Sequence, residues 1–115
     1  MISLPEGSRL WLVAGVTDMR NGFNGLASHV QSVLNDDPFS GHLFIFRGRR
    51  GDMRKLLWAD AEGLCLFVKR LERGHFVWPA VTEGKIHLTP AQLVMLLEGL
   101  NWKHPQRTYQ TGLRV

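Results

Sequence analysis

Residues 43–58 read LFIFRGRRGDMRKLLW, and this stretch decides the fold. Apolar residues at 43–46 and 56–58 flank a short segment that contains two glycines, Gly48 and Gly51. Two hydrophobic strands joined by a short turn with glycine are typical of a β-hairpin. We therefore predict a hairpin from about residue 42 to residue 58.

The tip of this predicted hairpin concentrates positive charge. Residues 47–55 contain five of the 14 basic side chains and a single acid. Because like charges repel one another, such a cluster is more stable beside an anionic partner, and nucleic acid is the first candidate. An acidic protein surface is the alternative. The predicted nucleic-acid contacts are Arg47, Arg49, Arg50, Arg54 and Lys55 at the tip, with Lys69, Arg70 and Arg73 as a second basic group.

Composition indicates one globular domain. The chain has 115 residues, of which 44% are hydrophobic, and its net charge is +4. A chain of this length can bury a core without disulfide or metal support. Its one cysteine, Cys65, rules out an intrachain disulfide and a cysteine-type zinc site, and the five histidines show no ligand spacing. We predict no metal and no cofactor.

The distribution of apolar residues gives no sign of a membrane protein. Residues 1–6 do not form a basic region followed by an apolar stretch, as in a leader. All apolar runs fall far short of the roughly 20 residues that a membrane span requires. We therefore expect a cytoplasmic protein without a membrane partner.

Other segments predict further elements. Residues 10–14 are typical of a first strand, and the apolar spacing within 21–34 predicts a helix that Asp18 could cap. The clearest helix start is at Thr89, followed by proline at the first helical position and Gln92 where a capping box requires it. Short strands are predicted at 76–78 and 85–88.

The segment from residue 64 is ambiguous. Leu64, Phe67, Val68 and Leu71 follow helical spacing, so we predict a second helix. A strand is the alternative, because residues 64–68 are apolar throughout.

Together these elements predict an α+β domain over residues 1–102, followed by a basic tail over 103–115. The predicted sheet is antiparallel and has about five strands, with about three helices packed mainly on one face. The predicted order is strand, helix, strand, strand, helix, strand, strand, helix.

Catalytic groups are harder to assemble from the sequence. Asp18, Asp52, Asp60 and Glu62 could hold a divalent metal if they clustered. Each has a simpler structural role: Asp18 as a helix cap, Asp52 in the hairpin turn, and the other two at the start of the second helix. Nucleophile elbows and phosphate-loop motifs are absent from the sequence. We predict that the protein is not an enzyme, with a metal-dependent nuclease as the remaining catalytic alternative.

The chain resembles the TnpB-type accessory proteins, encoded by the second open reading frame of IS-sixty-six family bacterial insertion sequences. The resemblance covers about residues 5–103. It rests on GVTDMR at 15–20, GF at 22–23, FIFRGRRGD at 44–52, KLLW at 55–58, GLCLF at 63–67, KRLE at 69–72, FVWP at 76–79, and the last helix from LTP at 88–90 to LLEG at 96–99.

This resemblance implies a role in DNA transposition beside a separate, larger DDE-type transposase. It implies no catalytic activity and supplies no binding residues. We therefore predict a non-catalytic accessory factor that contacts transposon DNA, the transposase of the same element, or both. The alternative is an adaptor that binds an acidic surface of the transposase without touching DNA.

Overall fold

A computed structural model of the protein describes residues 7–76 and 83–97. These residues form β1 (Leu10–Val13), α1 (Phe23–Ser32), β2 (Leu43–Arg47), β3 (Met53–Ala59), β4 (Leu64–Arg70), β5 (Lys85–Leu88) and α2 (Pro90–Leu97). The five strands form one sheet in the order β4-β3-β2-β1-β5. The sheet is mixed and not antiparallel as predicted, because β1 and β2 are parallel and only the other pairs are antiparallel. Neither helix within the described ranges has the length and apolar character needed to cross a membrane.

The hairpin predicted over residues 42–58 is confirmed. β2 and β3 pair antiparallel, and Arg47 lies opposite Arg54. Inside the turn, the Gly51 N–H donates to the carbonyl of Gly48. Gly51 has a φ of +79°, a left-handed conformation that glycine adopts without the steric cost of a Cβ.

Residues 64–70 form a strand, so the helix predicted there is wrong. β4 pairs with β3 along its whole length, with Ala59 opposite Leu64. The turn before β4 explains this pairing, because Asp60 Oδ1 accepts hydrogen bonds from the backbone N–H groups of Glu62 and Gly63. The tight turn returns the chain directly along β3, where pairing satisfies its backbone. Asp60 and Glu62 therefore occupy a strand-to-strand turn rather than a helix start.

The two helices cover opposite faces of the sheet, which corrects the prediction that they share one face. Ile45 of β2 lies in a core cluster with Leu96 of α2. Its neighbour Phe44 lies in a second cluster with Leu26 of α1. Because successive side chains of a strand point to opposite faces, burial on both sides explains why residues 43–46 are all apolar.

The starts of the two helices differ. At α2 the predicted capping box is confirmed: the Thr89 N–H donates to Gln92 Oε1, and the Gln92 N–H donates to Thr89 Oγ1. α1 has Gly22 as its N-cap and no side-chain cap, so the prediction that Asp18 caps it is wrong. Asp18 instead accepts hydrogen bonds from Arg20.

Two helices, rather than about three, occur in the described part of the chain. The strand predicted at 76–78 falls mostly outside the described residues, and Phe76 itself is not in a strand. The predicted tail at 103–115 also lies outside the described residues.

Candidate nucleic-acid interface

A groove of about 630 Å³ lies between the loop that follows β1 and the turn of the β2–β3 hairpin. We call it the arginine groove. Four exposed arginines line it, three from the loop and the turn and one from the end of β4. Its charged lining consists of Arg20, Arg49, Arg50 and Arg70, together with Asp18 and Asp52.

The parallel pairing of β1 and β2 brings the loop and the turn to the same end of the sheet. Three hydrogen bonds then hold them together. The Thr17 N–H donates to the carbonyl of Arg47 at 2.8 Å, and Arg47 Nε donates to the carbonyl of Gly15 at 3.2 Å. Lys55 Nζ donates to the carbonyl of Asn21 at 2.7 Å. These hydrogen bonds fix the loop beside the hairpin and so set the position of the groove. All three acceptors are backbone carbonyls, and two of the donors are basic side chains of the hairpin.

Close packing at Gly48 completes this junction. A Cβ atom added to Gly48 would lie 2.5 Å from Cγ of Met19, well inside van der Waals contact. Met19 also packs against the core cluster on the α1 side of the sheet. The first glycine of the turn is therefore required by the approach of the loop.

Asp18 and Arg20 form an exposed ion pair at the rim of the groove. Arg20 Nη2 lies 2.7 Å from Asp18 Oδ2, and Arg20 Nε donates to the same carboxylate. The side-chain hydrogen bond from Arg20 is the main cause that lowers the pKa of Asp18 to about 2, and the carboxylate in turn raises the pKa of Arg20. Both groups are therefore charged near neutral pH.

Three of the residues predicted to contact nucleic acid come together in the groove. Arg49 and Arg50 are exposed in the hairpin turn, and Arg70 is exposed at the end of β4, opposite Met53 of β3. Antiparallel pairing of β3 and β4 brings Arg70 beside the turn. Two separate basic segments of the sequence therefore contribute to one site.

Lys69 and Arg73 lie elsewhere. Lys69 is half-buried and pairs with Arg54 in the strand register, so it points to the opposite face from its neighbour Arg70. Arg73 is exposed in the segment after β4 and does not line the groove.

The other basic residues of the hairpin point into the fold. Arg54 is fully buried, and its Cζ lies 4.0 Å from the centroid of the Phe76 ring. Burial, reinforced by the charge of Arg47, lowers the pKa of Arg54 to about 9. Lys55 is 9% exposed and Arg47 is half-buried, and both bind loop carbonyls as described above. Arg47 and Lys55 therefore hold the loop beside the groove, whereas Arg54 packs against Phe76.

A model of the family described as IS66 Orf2-like protein matches residues 8–107, which include the whole groove. The chain belongs to this family. Two proteins of Sinorhizobium fredii are similar to it along nearly their full length. One, the uncharacterized protein y4hO, is 52% identical over 109 residues, which cover 93% of this chain and 95% of that protein. The other, the uncharacterized protein y4jC, is 36% identical over 107 residues, 93% and 92% of the two chains. No solved structure matches this chain.

As an IS66 Orf2-like protein, the chain is associated with transposition of an insertion sequence, a type of mobile element. The family consists of accessory proteins and is not known to be catalytic. Within residues 7–76 and 83–97, no three histidine, cysteine, aspartate or glutamate side chains are placed to hold a metal ion together. Asp18 lies at the groove, whereas Asp60 and Glu62 lie beyond the other end of β3.

Sequence reasoning missed Arg20 as a groove residue of this IS66 Orf2-like protein. Arg20 does not belong to a cluster of positive charge in the sequence, because Asp18 two positions earlier balances its charge. A signal was nevertheless present, since GVTDMR at 15–20 carries the family resemblance. That stretch contributes five lining residues, Val16 to Arg20.

Proposed function

We propose that this protein is a non-catalytic accessory factor for DNA transposition that binds DNA through the arginine groove. The observation that carries the proposal is the convergence of four exposed arginines from three chain segments on one groove. Guanidinium groups can bind phosphate oxygens with two parallel hydrogen bonds and can also fork onto guanine edges. The family association with transposition makes element DNA the expected ligand.

The shape of the turn suits contact with a phosphate backbone. Arg49 and Arg50 lie between Gly48 and Gly51 in the turn, and both arginine side chains are exposed. Contacts to phosphates position a protein on DNA without reading its sequence, so we expect affinity that depends more on salt than on sequence.

A second candidate function is an adaptor that docks an acidic surface of the transposase. The apolar part of the groove lining favours it, since Val16 is 54% exposed beside Met19 and Met53. An exposed apolar side chain among arginines also suits a peptide that carries both acidic and apolar residues. Co-purification with the transposase separates the two functions. Association that survives nuclease digestion supports direct docking, and association that is lost supports a DNA bridge.

The proposed DNA contact is tested by titrating labelled element-end duplex with the full chain at several salt concentrations. We expect binding that weakens steeply as salt rises, because phosphate contacts release condensed counterions. Replacement of Arg49 and Arg50 by alanine should reduce both the affinity and its salt dependence. Absence of binding at low salt, or affinity that does not change with salt, would refute the role of the groove.

A further inference from the structure

The outer edge of β4 has the features of a pairing surface. β4 is an end strand of the sheet, so among the described residues no strand lies beside its outer backbone. It is seven residues long, and residues 64–68 are apolar without a charge, proline or glycine. Proteins usually protect such edges with charges, prolines, bulges or short strands, because open backbone groups pair with other strands. Phe67 and Val68 are 39% and 47% exposed.

The opposite edge of the sheet is protected in the usual way. β5 has only four residues, and two of them are Lys85 and His87. Lys85 also forms an ion pair with Asp36 at 2.8 Å. The contrast between the two edges indicates that β4, and not β5, is suited to pairing with another strand.

Charge at the two ends of β4 identifies the kind of partner. The turn before the strand is acidic, with Asp60 and Glu62 exposed, and its last residue, Arg70, is exposed and basic. A second copy of β4 running antiparallel would bring each acidic end against a basic end, twice in one pair. A two-fold interface of this kind needs a surface that is complementary to itself.

We propose that two copies of this chain associate through antiparallel pairing of their β4 strands, centred on Leu66. In this register Leu66 faces its equivalent in the second copy, and Cys65 lies opposite Phe67. Leu64 then lies opposite Val68, and Glu62, in the turn before the strand, lies near Arg70. Directly opposite residues share a face of the sheet, so the centre consists of apolar pairs, and opposite charges meet at both ends.

Neighbouring registers are less favourable. Centring the pair on Phe67 places Leu64 opposite Arg70 and Cys65 opposite Lys69, so two apolar residues face charged ones. Centring it on Cys65 places Val68 and Phe67 opposite Glu62 and Gly63 of the turn, so both apolar residues lose an apolar partner. Of these three registers, the one centred on Leu66 alone pairs all five apolar residues, 64–68, with one another.

Charge reversal tests this interface in the full chain by sedimentation equilibrium. We expect the unmodified protein to have twice the 13.1 kDa mass of one chain. Glu62→Arg or Arg70→Glu alone should shift the mass towards that of a single chain, because each creates two repulsive pairs. The double variant E62R/R70E should recover the dimeric mass. Circular dichroism of each variant checks that the fold is retained.

A disulfide tests the register independently. Phe67→Cys places a new thiol opposite Cys65 of the second copy, where Cβ separations of about 5 Å allow a disulfide after small adjustment. We expect a covalent dimer on a non-reducing gel after mild oxidation. The control C65S/F67C keeps the new thiol but removes its partner, so it should cross-link far less.

Three results would overturn the proposal. They are a monomeric unmodified chain at all concentrations, a dimer whose mass is unchanged by Glu62→Arg and Arg70→Glu, and equal cross-linking of F67C and its C65S control. A chain that is monomeric alone and pairs only after the transposase is added would also overturn it, in favour of strand addition by that partner. Arg70 belongs both to this edge and to the arginine groove, whereas Arg49 and Arg50 lie outside the edge, so only the R49A/R50A variant reports on DNA binding separately.

Discussion

The arginine groove can be tested by removing the two arginines of its turn. Arg49 and Arg50 are exposed, and neither forms a hydrogen bond or ion pair with another described residue. Their replacement by alanine should therefore change the free energy of unfolding by less than about 0.5 kcal/mol, as for other surface sites. A loss of DNA binding in R49A/R50A would then report on the interface and not on the fold.

The size of the loss follows from counterion release. Each phosphate neutralised on duplex DNA contributes about 0.9 to the slope of log K against log salt, so two lost contacts reduce the slope by about 1.8. If the variant and the unmodified protein bind equally at 1 M salt, this difference in slope makes the variant bind about 60-fold more weakly at 0.1 M salt. A single Arg50→Ala substitution should reduce the slope by about 0.9 and the affinity by about 8-fold.

Fluorescence anisotropy of a labelled duplex, measured at several salt concentrations, gives both quantities. Arg9→Ala is the matched control, because Arg9 is exposed and carries the same charge but precedes β1, at the end of that strand away from the groove. We expect Arg9→Ala to leave the slope near that of the unmodified protein. The reasoning is refuted if R49A/R50A keeps the original slope, or if Arg9→Ala weakens binding as much as Arg50→Ala does.

Three further predictions concern the structure around the groove and the last helix. Gly48→Ala should destabilise the fold by about 1–3 kcal/mol in chemical denaturation, because the new methyl overlaps Met19. Adding Met19→Ala should recover part of this loss. A single variant as stable as the unmodified protein would contradict the packing. Arg20→Ala should return the pKa of Asp18 from about 2 towards 3.8 in an NMR titration. Since folding lowers this pKa, the ion pair stabilises the native state above the unfolded pKa and its contribution disappears as the pH falls towards 2, so an unchanged Asp18 titration would count against the pair. Thr89→Ala should lower the free energy of unfolding by about 0.5–2 kcal/mol, whereas Thr89→Ser, which keeps the capping oxygen, should lower it far less.

Local sequence signals predicted the elements that depend on local chemistry. The hairpin at 43–58 follows from two apolar runs around a turn with glycines, and each strand satisfies the backbone of the other. The start of α2 follows from Thr89 and Gln92, whose side chains bond backbone groups only three residues away. In both places the interacting groups are close in sequence, so a short stretch of sequence shows both partners of the interaction.

The segment at 64–70 shows where such signals fail. Its apolar residues fit helical spacing and an apolar strand equally well, and periodicity cannot separate the two. The decision comes from the open edge of β3 and from the Asp60 turn that returns the chain to it. β4 thus forms because β3 is available to pair with it, and the sequence of the segment itself does not show this.

The groove was also only partly predictable from the sequence. Its location at the basic hairpin tip was predictable from sequence, because like charges concentrated in nine residues mark the site. Charge alone does not say where a side chain points. Arg49 and Arg50 face solvent, whereas Arg54 is buried under Phe76, and Arg20 joins the groove from a different loop.

By itself, the sequence determined the family, the hairpin, the last helix and the basic character of the site. The tertiary structure alone decided which arginines line the groove, on which face each helix packs, and which strands form the two edges of the sheet among the described residues. The physical reason is that burial and strand pairing depend on segments that are far apart in the chain and meet only in the folded protein.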